Sequence, residues 1–233
     1  MQLLSCTSEG GSLATGSLAR SYLSDTTFTK LIVEIQAVEG NLPLMASVDN
    51  LEAFLNARLN KSGGITVSVD DPIPSPGKAT LSAFEAAQLA QEYRTEMTAG
   101  DTVVAHILFV DADYAANEGD SKVLGLAYQG DAAVLFKKTI DDNAGGIGQP
   151  SQEVLETTVL LHEFGHLLGL VNTGTQPVDP AHHDIPHGAH CNVEGCLMNY
   201  QVETTDILAN LLGSGIPDLD PKCIEDLQAN GGK

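Results

Sequence analysis

Basic residues are scarce in this chain: 11 lysines and arginines stand against 31 aspartates and glutamates, a formal net charge of −20. A surface so negative repels phosphate backbones, which argues against nucleic acid as a partner. No window is both long and apolar enough to span a bilayer. There is no Gly-rich phosphate loop, no basic stripe and no internal repeat. The 233 residues, 42% of them hydrophobic, suffice for a sizeable core, but no second segment carries a core of its own.

What is present is concentrated at residues 162–169, which read HEFGHLLG. Residues four apart on a helix lie one above the other, roughly 5 to 6 Å apart at Cβ, so His162 and His166 can reach one ion at ~2.0 to 2.1 Å. Glu163 sits beside them, close to the metal but not directed at it. From there it can take a proton from water that the metal acidifies and pass it to a leaving amine. The segment is a credible helix. Pro150 and Ser151 mark its start, Glu153 and Glu156 suit the positive end of its dipole, and Leu160, Phe164, Leu167 and Leu168 recur at core spacing. Gly169 stops it. Two histidines that merely happen to be four apart on a buried helix are the competing reading.

Upstream, the pattern predicts an α/β scaffold: strands at 31–38, 65–69 and 102–110, helices at 47–59 and 82–97, and two short strands at 124–128 and 132–139 around Gln129-Gly130-Asp131. The run at 102–110, rich in Val, Ile, Leu and Phe, reads as a buried central strand. Five strands with helices between them imply one mixed sheet. In VDADYAANEGD, Asp111, Asp113, Glu118 and Asp120 do not fit calcium-loop spacing and read as an acidic solvated turn.

Beyond Leu170 the chain becomes a loop, 172–189, rich in Thr, Gly, Pro, Asp and His, followed by CNVEGCLMNY at 191–200. The HEFGHLLG helix, a later His-Cys pair, C-x4-C-x-M and a closing cysteine resemble the metzincin zinc peptidases, most closely the archaemetzincins. The architectural resemblance covers about residues 31–227, whereas motif-level matches lie only between His162 and Cys223. It implies an α/β (α+β) zincin with a five-stranded mixed sheet and an irregular C-terminal subdomain beneath the zinc. By that resemblance His190 is the third zinc ligand and 172–189 is an insertion. The usual metzincin position, three residues after the glycine, is Asn172, whose amide is a poor zinc ligand. The loop offers His182, His183, His187 and His190. His190 ranks first, His187 second, and the other two and Asn172 remain open. Met198 resembles the methionine of the tight turn beneath the metal and should pack rather than ligate. Tyr200 matches the M-x-Y arrangement whose phenol leans toward the metal and donates to an oxyanion; a hydrogen-bonded structural tyrosine is the equal alternative.

Archaemetzincins hold a second, structural zinc on C-x4-C and a downstream C-x-x-C. Here Asp220-Pro221-Lys222-Cys223 stands where that second pair belongs, so one thiol has become a carboxylate. A zinc on Cys191, Cys196, Asp220 and Cys223 is one reading. A disulfide in an oxidising compartment is the preferred one, Cys191 to Cys196 first, with Cys196 to Cys223 and Cys191 to Cys223 as alternatives. At the N-terminus Leu3-Leu4-Ser5-Cys6, with the Ser/Thr/Gly-rich run that follows, resembles the end of a bacterial lipoprotein signal. That predicts lipid at Cys6 and an extracytoplasmic protein, anchored in the cell envelope or secreted. The division expected is a tether at 1–29 and a catalytic domain at 30–233, with an upper part at 30–171 and a lower part at 172–233.

The resulting expectation is a monomeric zinc metalloendopeptidase. Glu163 is its base, His162, His166 and His190 hold the metal, and a peptide or protein substrate lies along an edge strand near 124–128. Its rivals are a non-catalytic surface lipoprotein whose metal only holds a binding module together, and a hydrolase of something other than peptides.

Overall fold

A computed structural model describes residues 14–233. In chain order the elements are α1 (Ala19–Leu23), β1 (Lys30–Ala37), α2 (Met45–Arg58), β2 (Gly64–Val69), β3 (Thr80–Leu81), α3 (Ala83–Tyr93), β4 (Thr102–Phe109), β5 (Asp113–Tyr114), β6 (Gly125–Tyr128), β7 (Ala132–Leu135), α4 (Lys137–Asp142), α5 (Gln152–Leu167), α6 (Leu208–Leu211) and α7 (Pro221–Ala229). The main sheet runs β2-β1-β4-β7-β6. All its neighbours are parallel except β6, which returns antiparallel to β7 with Leu126 opposite Val134. It is therefore a five-stranded mixed sheet, as the strand pattern predicts, and β6 is an edge.

Alternation along the strands assigns the two faces. Leu31, Val33 and Ile35 of β1 join Val103, Ala105, Ile107 and Phe109 of β4 against α2 and α5. Leu108, Val134 and Phe136 face the other way, against Ala86 and Ala90 of α3. Burial on both faces is what a near-continuous apolar run such as β4 requires. Helix α3 starts on a capping box, the Ser82 side chain accepting from Glu85 N while Glu85 reaches back to Ser82 N. It ends at Tyr93, short of Met97, because the next residues serve a buried carboxylate: Glu34 of β1 accepts from Thr95 N at 2.7 Å and from Glu96 N at 3.1 Å. The strand expected over 132–139 ends at Leu135. The chain turns there into α4, whose Lys137 is buried against Glu156 at 2.8 Å. Glu156, read from the sequence as suiting the positive end of the helix dipole, is fully enclosed and also accepts from Leu44 N.

The segment assigned to the tether includes α1, whose Tyr22 and Leu23 are buried in the main core; Tyr22 Oη donates to Val104 O at 3.0 Å. Cys6 and its lipobox-like neighbours lie outside the described residues. Asp111 and Asp113 have separate partners: Ser75 Oγ donates to the first at 2.6 Å, and Lys122 Nζ and Thr139 Oγ1 donate to the second. Among the described residues no helix is long and apolar enough to cross a membrane.

On the α3 face of β4, His106 is enclosed, with Nε2 3.1 Å from Gln36 Oε1, and burial depresses its pKa to about 4. The unfolded chain then takes up a proton near pH 6.5 that the native chain refuses until about pH 4, so stability falls as pH falls through that window. The loss is on the order of 3 kcal/mol for a shift of that size. Thermal melts from pH 7 to 4 should show this slope in the native sequence and a shallower one in His106→Gln; equal slopes would assign the acid lability to other groups.

Candidate metal centre

Helix α5 crosses the floor of the sheet, and every residue from Leu155 to Leu167 is buried. Ser151 caps it, its hydroxyl accepting from Val154 N at 3.2 Å, in the place the sequence indicates. It stops at Gly169, which has φ of 81° and whose Cβ would lie 2.7 Å from that of Ala19. Only a glycine meets both conditions. Within the helix Gly165 has a packing function, since a Cβ there would collide with Sδ of Met198. Met198 is fully buried beneath the helix and packs there, as expected of the turn methionine.

His162 and His166 meet with their Nε2 atoms 3.1 Å apart. His190 joins them from the end of the loop, its ring 5.3 and 5.1 Å from theirs. The far nitrogens are committed elsewhere. His162 Nδ1 donates to Leu197 O and His190 Nδ1 donates to His187 O, each at 2.7 Å, while His166 Nδ1 stands 3.5 Å from Thr173 Oγ1. A ring that donates through Nδ1 presents a lone pair at Nε2. Lone pairs facing one another at about 3 Å repel unless a cation lies among them. His190 Nε2 is also buried without a hydrogen-bond partner among the described residues. On these grounds the residues fit a zinc ion. Burial lowers the His166 pKa to about 4, which keeps that ring in its ligating form.

A fourth donor completes the cluster, and the sequence motifs do not point to it. Glu203 Oε1 lies 3.3 Å from His166 Nε2, 3.2 Å from His190 Nε2 and 3.9 Å from His162 Nε2. Glu203 is one of 31 acidic residues and follows no recognised spacing. Only its distance of five from the turn methionine could have singled it out.

Glu163 is fully buried, and neither of its carboxylate oxygens finds a partner among the described residues. Burial first, then the charge of Glu203, raises its pKa well above the ordinary value. Its room comes from Gly125 on edge strand β6, where a Cβ would lie 2.6 Å from Glu163 Oε1. A cleft of about 330 Å³, lined by Ala127 of β6, His166, Thr173, His187, His190 and Glu203, opens onto the cluster.

The remaining candidates are held apart from it. His187 Nδ1 is 2.7 Å from Asp184 Oδ2, and its ring stacks on that of Tyr200 at 3.8 Å, so these two form a wall of the loop. His182 is buried with Nε2 3.3 Å from Asp226 Oδ2 of α7, and His183 Nε2 donates to Gly188 O. Asn172 adopts a left-handed turn with φ of 66°. The loop is thus pinned at several points although Ile185 and His187 stay exposed, and buried His182 is one of its pins.

Below the cluster, Cys191, Cys196, Asp220 and Cys223 place four ligand atoms within 4.8 Å of one another. The three cysteines are free thiols. The preferred Cys191–Cys196 disulfide is therefore not formed: Cys191 Sγ donates to Asp220 Oδ2 at 3.1 Å, and Cys196 and Cys223 stand 3.8 Å apart at sulfur. Three thiols and a carboxylate converge on one point. Backbone N–H groups of Val193, Met198 and Asp220 point at the sulfurs of Cys191 and Cys196. Hydrogen bonds from Cys196 and then Cys223 draw the Cys191 thiol down to about 4.

The fold is shared with archaemetzincin from Methanopyrus kandleri, whose crystal structure matches at a TM-score of 0.56 and 19% identity over 87% of this chain and 96% of that one. Metalloproteinase-II from Bacteroides fragilis aligns at a TM-score of 0.45 and 16% identity, over 88% of this chain and 54% of that one. No protein-family model and no curated protein matches the sequence. The chain therefore has an archaemetzincin-like fold, consistent with the resemblance of its motifs.

If His190 is the third ligand, His190→Ala should weaken zinc binding at this centre by at least the 10- to 100-fold typical of losing a mere supporting group. His187→Ala, His182→Ala and His183→Ala should change it far less. Competition titration against a chromophoric chelator measures this, and a larger loss from His187→Ala would reverse the assignment.

Proposed function

We propose that the chain is a zinc-dependent peptidase in which His162, His166 and His190 hold the metal and Glu163 is the general base. The observation that carries this reading is the meeting of three imidazoles, two of them held by Nδ1–H bonds to carbonyls, beside a buried carboxylate whose oxygens have no hydrogen-bond partner among the described residues. A bound zinc supplies Lewis acidity, polarising a carbonyl and acidifying water. Glu163 accepts the proton of the attacking water, for which a raised pKa suits it, and returns it to the leaving nitrogen. The backbone of β6 runs beside the cleft on a free sheet edge. An extended peptide added there gains main-chain hydrogen bonds and lies across the metal. The role of Tyr200 as donor to an oxyanion is proposed from the resemblance; its ring stacks on that of His187, which lines the cleft.

The second cluster is proposed as a structural zinc site of three thiolates and Asp220, supported by the converging donors and the N–H groups aimed at sulfur. A cation would satisfy all four groups at once. Extracytoplasmic location with lipid at Cys6 is proposed from residues 3–6 alone, and a monomer from the absence of any sequence signal for association.

One observation favours the rival, non-catalytic reading: Glu203 stands at the fourth corner, and a centre closed by four protein groups is structural. Glu163 argues the other way, since a purely structural centre needs no base.

Two measurements test these assignments. Glu163→Gln should keep its zinc and lose about 10²- to 10⁴-fold in cleavage of a peptide library; Gly125→Ala, which crowds Glu163, should do the same more mildly. Undiminished cleavage by Glu163→Gln would remove it from the reaction, and no cleavage by the zinc-loaded native chain would favour the binding module. Native mass spectrometry should find two zinc ions per chain and one in Cys223→Ser; one in both would leave the thiol cluster without metal.

A further inference from the structure

Glu163 and Glu203 both carry carboxylates near the histidine cluster, and their settings differ. Glu163 is sealed in, with its oxygens free of partners. Glu203 is about a third exposed at its side chain, and its Oε1 faces all three Nε2 atoms. A metal with ligands at ~2.0 to 2.1 Å sets the corners of its tetrahedron roughly 3.3 to 3.4 Å apart. The separations of 3.1, 3.2, 3.3 and 3.9 Å among these four atoms are close to those edges.

In their neutral forms His162 and His190, which donate through Nδ1 to carbonyls, turn the lone pairs of Nε2 toward the carboxylate. A carboxylate oxygen facing two lone pairs in a buried pocket is repulsive unless a cation sits between them. The backbone of Glu203 is also fixed in place. Leu124 N donates to Glu203 O at 2.7 Å, Thr205 N donates to Lys122 O at 2.9 Å, and Val123 and Thr204 form a β-bridge. The approach to edge strand β6 is thereby stitched to the loop that carries Glu203. With the backbone held, the freedom left to Glu203 is rotation of a side chain that already touches solvent.

We infer that Glu203 is a fourth, displaceable ligand of the metal held by His162, His166 and His190, occupying the position that water must take for hydrolysis. This rests on the metal centre proposed above. The resting centre is closed by four protein groups. It opens when Glu203 swings into solvent, and an extended chain docking on β6 arrives next to the residue that has to move. The unpartnered base Glu163 and the filled fourth corner thus belong to two states of one centre.

The test uses the full chain loaded with cobalt(II). The d–d absorption of the histidine centre is separated from the sulfur charge-transfer band of the thiol cluster, and azide serves as the probe of an open position. Glu203→Ala should bind azide at least ten-fold more tightly than the native chain and should release cobalt to a chelator at least ten-fold more readily. Glu203→Gln keeps the side chain's size and should shift both in the same direction, which covers the event that the alanine variant fails to fold. Equal azide affinity and equal metal retention in the native chain and Glu203→Gln would overturn the inference while leaving the three-histidine centre intact. If His166→Ala loses none of the d–d absorption of the native chain, the metal centre itself falls, and with it this inference.

Discussion

The site depends on hydrogen bonds made at the backs of two imidazoles. By accepting Nδ1–H at 2.7 Å, the carbonyls of Leu197 and His187 determine which nitrogen of His162 and His190 carries the lone pair and hold each ring at a fixed angle. Without them the rings would be free to present protons instead, and three basic nitrogens would not converge in a pocket that water scarcely enters. One of these carbonyls belongs to the residue before Met198. Packing of that methionine into the space Gly165 leaves is therefore what brings the Leu197 carbonyl under His162. A methyl group at Gly165 would reach the metal centre through this chain of contacts rather than directly.

The same economy of space holds across the cleft. Gly125 has ordinary strand geometry and no need of a glycine's backbone freedom, yet any larger residue would press on Glu163 and Val159. The edge strand is thus thin where it passes the base. A carboxylate that is enclosed, unpaired and next to a second carboxylate is destabilising in isolation. Its persistence here is understandable if the pocket is built for a state in which a cation and a proton compensate it.

Much of the fold was legible because its elements obey simple periods. The apolar run of β4, the alternation of β1 and the capped, stopped helix α5 each carry their assignment in their own residues. The errors came where tertiary contacts overrule local pattern. Residues 132–139 look like one strand, but Lys137 turns inward to Glu156 and the strand ends at Leu135. Residues near 19–24 look like a flexible tail, but Tyr22 and Leu23 insert into the core. At the site, spacing singles out His162, Glu163 and His166 and resemblance singles out His190, and the fold brings the three histidines together. Glu203 was not, because its carboxylate arrives through a turn of 3₁₀ helix and a backbone clamp to residues 122–124, neither of which leaves a pattern in the sequence. The cysteines misled in a different way. Spacing alone permits a bridge between any two, and only the inward turn of Asp220 shows that all three face one point.

The long loop raises the question of how a third ligand 24 residues beyond the second can be placed as accurately as one three residues beyond a glycine. Part of the answer lies in what flanks it. His190 adjoins Cys191, whose N donates to Met198 O at 2.7 Å and whose sulfur faces Asp220. Asp184 N donates to His190 O, and His182 and Val178 tie the loop to Asp226 on α7. The ligand therefore sits between two anchors, a polar one above and the thiol cluster below. Fixing a loop at both ends of a short segment removes most of the entropy that would otherwise oppose ligation. On this view Asp220 is tolerated in place of a thiol because the cluster's task is to hold Cys191, and through it His190. A carboxylate that also caps α7 through Lys222 N can perform that task. The two proposed metal centres then form one mechanical unit, in which the lower cluster aims the proposed ligand that so long a loop would otherwise leave loose.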